Sequence, residues 1–492
     1  MKSRAAIPII LPALIALLAA PIELTAQEHT HYKLIDLGTF GGPDSYISAP
    51  SASYATILNN HGVLAGWAAT SRPDPYQAQN FCLSPDCFVA RAFQWQNGVR
   101  TKLPGLAQGL NSEATWISSN GIIAGISQNG QMDPSFPGFP VNHGVLWKDG
   151  VIIDLGTLDG GFESASLAVN SHGQVVGAAD NTKPDAAAMF GDNFGWATHT
   201  RAFLWQDGVM QDLHTLGGPD AVAYLINESG QVAGVSYLDS KPSEFCAQAT
   251  GYSLTTGAFL WENGKMQDLG NFGGTCTFAF DLNNKGQVVG ASTLTGDQEE
   301  HPFLWDNSNS TLKDLGTFGG STGVAKALND AGAVVGFADY AGNQLFRAAL
   351  WDDDGMTDLG TLDVYSFAQA INAHGQVVGF STDAQFNNHQ GFLWQPGGPM
   401  VALNSLVSSS SLQLTDPAGI NDQGQIAGTG TDSAGNQHAF LLIPCDDDDA
   451  AWQSAAGETS TNSATPTQHT AAANPGHRAR KLTGPRTASS QQ

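Results

Sequence analysis

Basic residues are scarce in this chain. Lys and Arg total 20 against 45 Asp and Glu in 492 residues, a formal net charge of −25. Phosphate backbones are held by Lys and Arg, so the balance argues against nucleic acid as a partner and fits an exported protein or one that meets cations or basic surfaces. Cysteine is equally sparse, at five. Cys82 and Cys87 are close enough in sequence to pair within one loop, Cys246 can pair with Cys276, and Cys445 is then left over. A lone C-x4-C is a poor zinc signature, and no metal site is expected. His-Glu-x-x-His, a phosphate loop and a clean dinucleotide fingerprint are all missing, so no cofactor is expected. Asp352-Asp353-Asp354-Gly355 lacks the alternating ligands and closing Glu of a calcium loop and reads as a turn.

Long apolar runs are missing too, except at the start. Met1 to Ala26 has a charged opening (Lys2, Arg4), an apolar stretch and a small-residue cleavage site, which reads as a secretory signal; a retained membrane anchor is the alternative. Residues 27–444 read as one repeated domain, with no later stretch long enough to cross a bilayer. From 445 to 492 the composition turns acidic (Asp446 to Asp449) and then Ser/Thr/Ala/Gln-rich, which reads as a disordered tail. The expected setting is secreted, extracellular or periplasmic, and the expected state a monomer.

What fills the space between is one phrase repeated. Asn-x-x-Gly-x-x-x-Gly starts at Asn59, Asn170, Asn227, Asn283, Asn329, Asn372 and Asn421, and a degenerate copy has Ser118 in the Asn place. Spacings of 43 to 59 residues mark a propeller or solenoid. No unit shows a 3.6-residue apolar period long enough for a helix, and β-rich runs punctuated by Gly, Asn and Asp predict four strands per unit. Strand A is the small-residue run ending at the Asn, strand B the Val-Val-Gly run after the tight turn, and strand C the Ala-Phe-Leu-Trp run. Strand D ends in Asp-Leu-Gly and follows an Asn-Gly or Asp-Gly hairpin. The last copy stops after strand C (His438 to Leu442), while Tyr32 to Gly38 supplies an orphan strand D. Complementary ends predict an all-β propeller of eight four-stranded blades, its last blade completed by the N-terminal strand; a seven-bladed ring is the alternative.

Residues shared by every unit are poor candidates for a unique chemical centre. The Asp of Asp-Leu-Gly, the Asn of the signature and the Trp series are expected to be structural, the Asp capping a turn. Units differ instead in the interval from the second signature Gly to the strand C Trp (Leu442 in unit eight). It is 29, 22, 28 and 27 residues in units one to four, then 15, 15, 15 and 14. The extra length lies in the B–C loops, which share a face with the D–A crossovers and should wall half of it. Long loops on a rigid scaffold commonly carry binding. The candidate residues there are Tyr76, Phe136, His143, Asp185, Asp192, Asn193, Trp196, His199 and Glu244. Flat rings beside acids and amides suit sugars or peptides; the competing reading is that the rings pack the loops together.

The intact His438-Ala439-Phe440 and near-intact Arg201-Ala202-Phe203-Leu204-Trp205, with the Asp-Leu-Gly-Thr-Leu-Gly-Gly and Ile-Asn-x-x-Gly-Gln-Val-Val-Gly phrases, resemble the HAF repeat of extracellular bacterial proteins. The resemblance covers Tyr32 to Pro444 and implies export and a repeated β architecture, with no catalytic residues to carry over. The leading expectation is a non-catalytic propeller binding carbohydrate or protein through the long B–C loops of blades one to four. The alternatives are a carbohydrate-active hydrolase or lyase using carboxylates such as Asp185, Asp192 and Glu244, and a structural surface protein. A hydrolase needs two carboxyls about 5 to 10 Å apart.

Overall fold

A computed structural model describes residues 31–445 apart from 48–55, 78–81, 135–137, 159, 186 and 190–195. The predicted signal, the tail from residue 446, and Phe136, Asp192 and Asn193 lie outside the described residues. The strands form six four-stranded antiparallel sheets and one eight-stranded sheet. The large sheet is the ladders of units five and six, joined where Glu300 pairs in parallel with Thr322. Except in unit eight, each ladder runs A, B, C, D in chain order. In unit three these are Ser164–Val169, Val175–Pro184, Thr198–Gln206 and Val209–Asp212.

Unit eight borrows its fourth strand. Leu412–Ile420, Ile426–Asp432 and Gln437–Pro444 are its strands A to C, and Tyr32–Asp36 is strand D, with Tyr32 opposite Pro444 and Asp36 opposite Phe440. Unit eight in turn meets unit one: the Gln437 N–H donates to Asp44 Oδ1 at 2.8 Å and the Ala439 N–H to Ser45 Oγ at 2.9 Å. The fold is a β-propeller closed by its N-terminal strand.

The signature Asn explains how blades are held together. Asn227 is 4% exposed and uses its whole amide. Its Oδ1 accepts from the N–H groups of Ser229 and Gln231, tying the A–B turn, while its Nδ2 donates to Gln231 Oε1 and to the carbonyl of Asn283. Only an amide side chain offers two acceptor sites and two donors at this reach. The same bond to the next unit's carbonyl recurs from Asn59, Asn170, Asn283, Asn329 and Asn372, and Asn421 donates back to Asn59 at 3.0 Å. The belt has one substitution. Ser118 is too short to reach unit three, and Asn120 donates to the Ser171 carbonyl at 2.8 Å instead.

The second signature Gly answers a different constraint. Strand A bulges between Ser166 and Ala168, opposite Gly177. A Cβ on Gly177 would fall 2.0 Å from the Ala165 carbonyl oxygen and 3.1 Å from the Phe203 ring. Gly and the Phe of strand C are therefore read together. Both faces of a blade are apolar because each meets a neighbour. Leu204, Val176 and Leu213 of unit three share a buried cluster with Phe259, Trp261 and Val232 of unit four, and Leu260 and Leu269 of unit four share one with Phe303 and Trp305 of unit five.

Two details depart from the sequence reading. Strand A of unit one is Gly41–Tyr46, well before Asn59, and Leu58 returns to bridge Leu64. A helix is also present: α1 (Glu244–Thr250) sits in the B–C connection of unit four. Seven residues are too few for a periodic signal, but both caps were in the sequence. Ser243 Oγ accepts the Cys246 N–H, and Gly251 closes the helix at φ 85°. Among the described residues no helix is long and apolar enough to cross a membrane.

Candidate functional site: the B–C face

The long intervals of units one to four are mostly extended hairpin. Strand B runs 10 residues in units one to three and 11 in unit four, against 6 to 8 in units five to eight. Each long hairpin is fastened to the following blade at one repeated place, three residues before the strand A residue that faces the second signature Gly. In unit two this residue is Asn111, whose Oδ1 accepts the Ala90 N–H and whose Nδ2 donates to Asp74 Oδ2, both at 2.7 Å. In unit three it is Glu163, accepting the Asn142 N–H at 2.9 Å. In unit four it is Asp220, accepting from Thr200 at 3.0 Å and from Met189 at 2.7 Å. In unit five it is Cys276, joined by a disulfide to Cys246 of α1. Cys82 and Cys87 are also joined, within the unit one loop.

Fastening by buried carboxyls sets their electrostatics. Burial, with Asp133 and Asp180 nearby, pushes Glu163 up to about 9 against the backbone bond that favours its charged form. Burial and then the charge of Asp86 push Glu113 to about 8. Asp220 rises to about 7, mainly by burial. These groups are enclosed, Glu163 completely.

The individually predicted residues do not form one centre. Trp196 is 3% exposed and joins Met189, Tyr237, Tyr252, Phe278 and Cys246 in the largest buried cluster. It is a core residue, and for this ring the packing reading describes its place, as it does for Tyr237 and Tyr252. His143 is not a loop residue. It opens the strand C phrase His143-Gly144-Val145-Leu146-Trp147, its Nδ1 lies 2.8 Å from Asp154 of strand D, and its Nε2 lies 3.1 Å from the Asn129 amide. The same cross-strand pair recurs as Arg201 with Asp212, His301 with Asp314 and His438 with Asp36. The repeated Asp also caps its own turn, accepting the N–H two residues on in units two, three, four, five, six and eight.

Asp185 accepts the Ala187 N–H and is half-buried, and Glu244 is exposed in the first turn of α1. Tyr76 is half-buried, its N–H donated to Asp74 and its hydroxyl pushed up by burial and then by Asp74. Burial lowers His199, with Asp185 opposing. Among the described residues no group of three or more His, Cys, Asp or Glu is placed to hold a metal. The Asp352 run forms the expected hairpin turn, Asp352 Oδ1 accepting the Asp354 N–H at 2.9 Å.

Sequence reasoning missed two features in the short-loop half. Lys326 stands at the strand A bulge of unit six, 9% exposed, its ammonium 4.2 Å from the Phe280 ring centre. Burial lowers it to about 8 while the charge of Glu300 supports it. A Lys within an otherwise small and apolar strand A was the available signal. The second is a set of rings in units six and seven: Phe337, Phe346, Tyr365, Phe367, Phe380 and Phe386, with neighbouring centroids 4.9 to 6.1 Å apart. Their positions lie in short intervals and escape a search confined to long ones. On the opposite face, an open cleft of about 380 Å³ lies where the turns of unit eight meet those of unit one, lined by Lys33, His61, Trp95 and Gln425.

No family model and no curated protein matches the chain. Among solved structures it is similar to the β-propeller domain of the Trilobed protease from Pyrococcus furiosus, at 12% identity and a TM-score of 0.40 over 76% of this chain and 98% of that one. It is also similar to Pyrococcus horikoshii acylaminoacyl peptidase, at 12% identity and a TM-score of 0.42 over 80% and 59% of the two chains. TolB from Acinetobacter baumannii gives 12% identity and a TM-score of 0.31 over 56% and 64%.

Proposed function

We propose that this protein is an exported, non-catalytic propeller of the HAF-repeat type that binds carbohydrate or protein through its B–C face. The observation that carries the reading is the fastening of that face. Four consecutive hairpins are lengthened beyond what the ring needs, and each is tied to the next blade by a buried bond or disulfide. Such a wall suits a surface held ready for a ligand, because preordered contacts save the ordering cost on binding.

The predicted acids favour binding over hydrolysis. Asp185 is committed to a turn and Glu244 to a helix end, and Glu163 and Asp220, whose carboxyls burial pushes up, are fully enclosed. The test pairs a glycan array with pull-down from extracellular extracts, using the intact protein and a Tyr76→Ala, His199→Ala, Glu244→Ala variant. We expect a bound glycan or protein whose affinity falls at least threefold in the variant. No bound partner, or hydrolysis of an arrayed glycan, would overturn the reading.

A further inference from the structure

Eleven non-glycine residues among those described have positive φ, and ten of them are polar residues or the disulfide-bonded Cys87. The eleventh is Phe386, at φ 57°. A left-handed backbone costs about 1–2 kcal/mol for an L-residue with a Cβ, which is why turns place Gly, Asn or Asp there. Here the sequence has Asn387 and Asn388 next door and still puts the ring at the strained position.

The turn that holds Phe386 in this conformation is tied by Asp383. Asp383 Oδ1 accepts the N–H groups of Gln385 at 3.0 Å and Asn387 at 2.9 Å, and Asp383 Oδ2 accepts the Asn388 amide at 2.7 Å. The Phe386 N–H itself donates to the Asp383 carbonyl at 3.2 Å. The ring so held is 45% exposed, which makes it one of the few large apolar side chains on the surface.

Its underside is supported. Phe386 stacks on Tyr365 with centroids 5.1 Å apart and planes 21° from parallel, and lies 6.0 Å from Phe367, which is 6% exposed. Phe346 backs Tyr365 at 5.8 Å and Phe367 at 6.1 Å. One face of a fixed ring is thus seated on the core of unit seven and the rest is left in water. Around it residues 384–388 are all exposed, and three of them, Gln385, Asn387 and Asn388, carry neutral amides.

We infer that Phe386 is a stacking platform for one pyranose ring of a neutral glycan. The inference rests on the reading of the B–C face as a binding surface, and it adds to the long hairpins a contact in the short loop of unit seven. A pyranose offers an apolar face of C–H groups to a flat ring and equatorial hydroxyls to the amides around it. The exposed residues that flank the ring in its turn are Ala384, Gln385, Asn387 and Asn388, and neutral amides suit sugar hydroxyls. Asp383 at the rim and the net charge of −25 disfavour an anionic sugar.

The experiment is an array of neutral gluco-, galacto-, manno-, xylo- and chito-oligosaccharides followed by titration calorimetry on the best hit. It compares wild type, Phe386→Asn and Phe386→Trp. Asn suits the left-handed backbone, so loss of the ring is separated from damage to the turn; Trp keeps a flat ring. We expect wild type and F386W to bind within about threefold of each other and F386N to weaken at least tenfold, with melting temperature unchanged or raised in F386N. A neutral glycan bound equally by F386N overturns the platform and leaves the B–C face reading standing. Capture of a protein in a parallel pull-down from extracellular extracts, with no neutral glycan bound on the array, does the same. No partner of either kind overturns both.

Discussion

Glu163 shows how a single residue carries a stabilising bond and a pH liability together. Its carboxyl accepts the Asn142 N–H of the preceding blade, yet the side chain is enclosed and its folded pKa stands at about 9 against an ordinary 4.5. Between those values the folded chain holds a proton that the unfolded chain has released. Stability therefore falls as pH rises from the carboxylate range through 9. Glu163→Gln keeps an oxygen for the Asn142 N–H and has no proton to lose. We expect its melting temperature to match or exceed that of wild type at pH 5 and to pull ahead by several degrees at pH 8.5, measured by calorimetry across that range. An advantage that does not grow with pH would show Glu163 to be charged in the fold. The signature Asn works at the same scale without this liability, since an amide supplies donors and acceptors but no charge.

Among the elements, α1 and its disulfide are the clearest case of one task met by different chemistry. Where units two to four fasten the preceding hairpin through Asn111, Glu163 and Asp220, unit five uses Cys276 and a covalent bond to Cys246, 30 residues away. Closing a loop of that length contributes about 3 to 4 kcal/mol. The double substitution Cys246→Ser, Cys276→Ser should lower the melting temperature by several degrees. It should also admit proteases first within 241–256, as read by the earliest cleavage products, while the remaining blades resist.

The strands themselves were legible because a repeated phrase averages out local ambiguity. Strand D of unit eight could be assigned to Tyr32–Asp36 from the missing Asp-Leu-Gly alone. The site was less legible, for identifiable reasons. His143 reads as a loop residue because the interval from the second signature Gly to the Trp takes in the first half of strand C, Pro140–Lys148. Trp196 looked available because composition says which rings a loop contains and not which way it folds. Phe386 was passed over because it lies in a short loop, and its unusual feature is a backbone angle that side-chain identity does not announce.

For the whole molecule, closure depends on a strand from one end of the chain lying beside a strand from the other, with His438 facing Asp36 across the join at 3.0 Å. The hydrogen bond to Asp36 raises the His438 pKa above its ordinary 6.5, against a smaller opposing effect of burial. A raised histidine contributes stability in full below its unfolded value, and the contribution disappears as pH rises through the folded one. His438→Gln should thus cost stability at pH 5.5 and cost less at pH 8.5. Denaturant midpoints at the two pH values measure this, and an equal cost at both would place the pair outside the closure energetics. Both variants gain on wild type as pH rises, Glu163→Gln from parity to an advantage and His438→Gln from a deficit towards parity, so the two can be told apart in one titration series.

The join has one more consequence. The Cys445 N–H donates to the His31 carbonyl at 2.8 Å, so the last and first described residues lie side by side where the A–B turns emerge. Attachment close to either described end, at His31 or Cys445, holds the ring by the face of the A–B turns and presents the hairpins and the Phe386 ring outward.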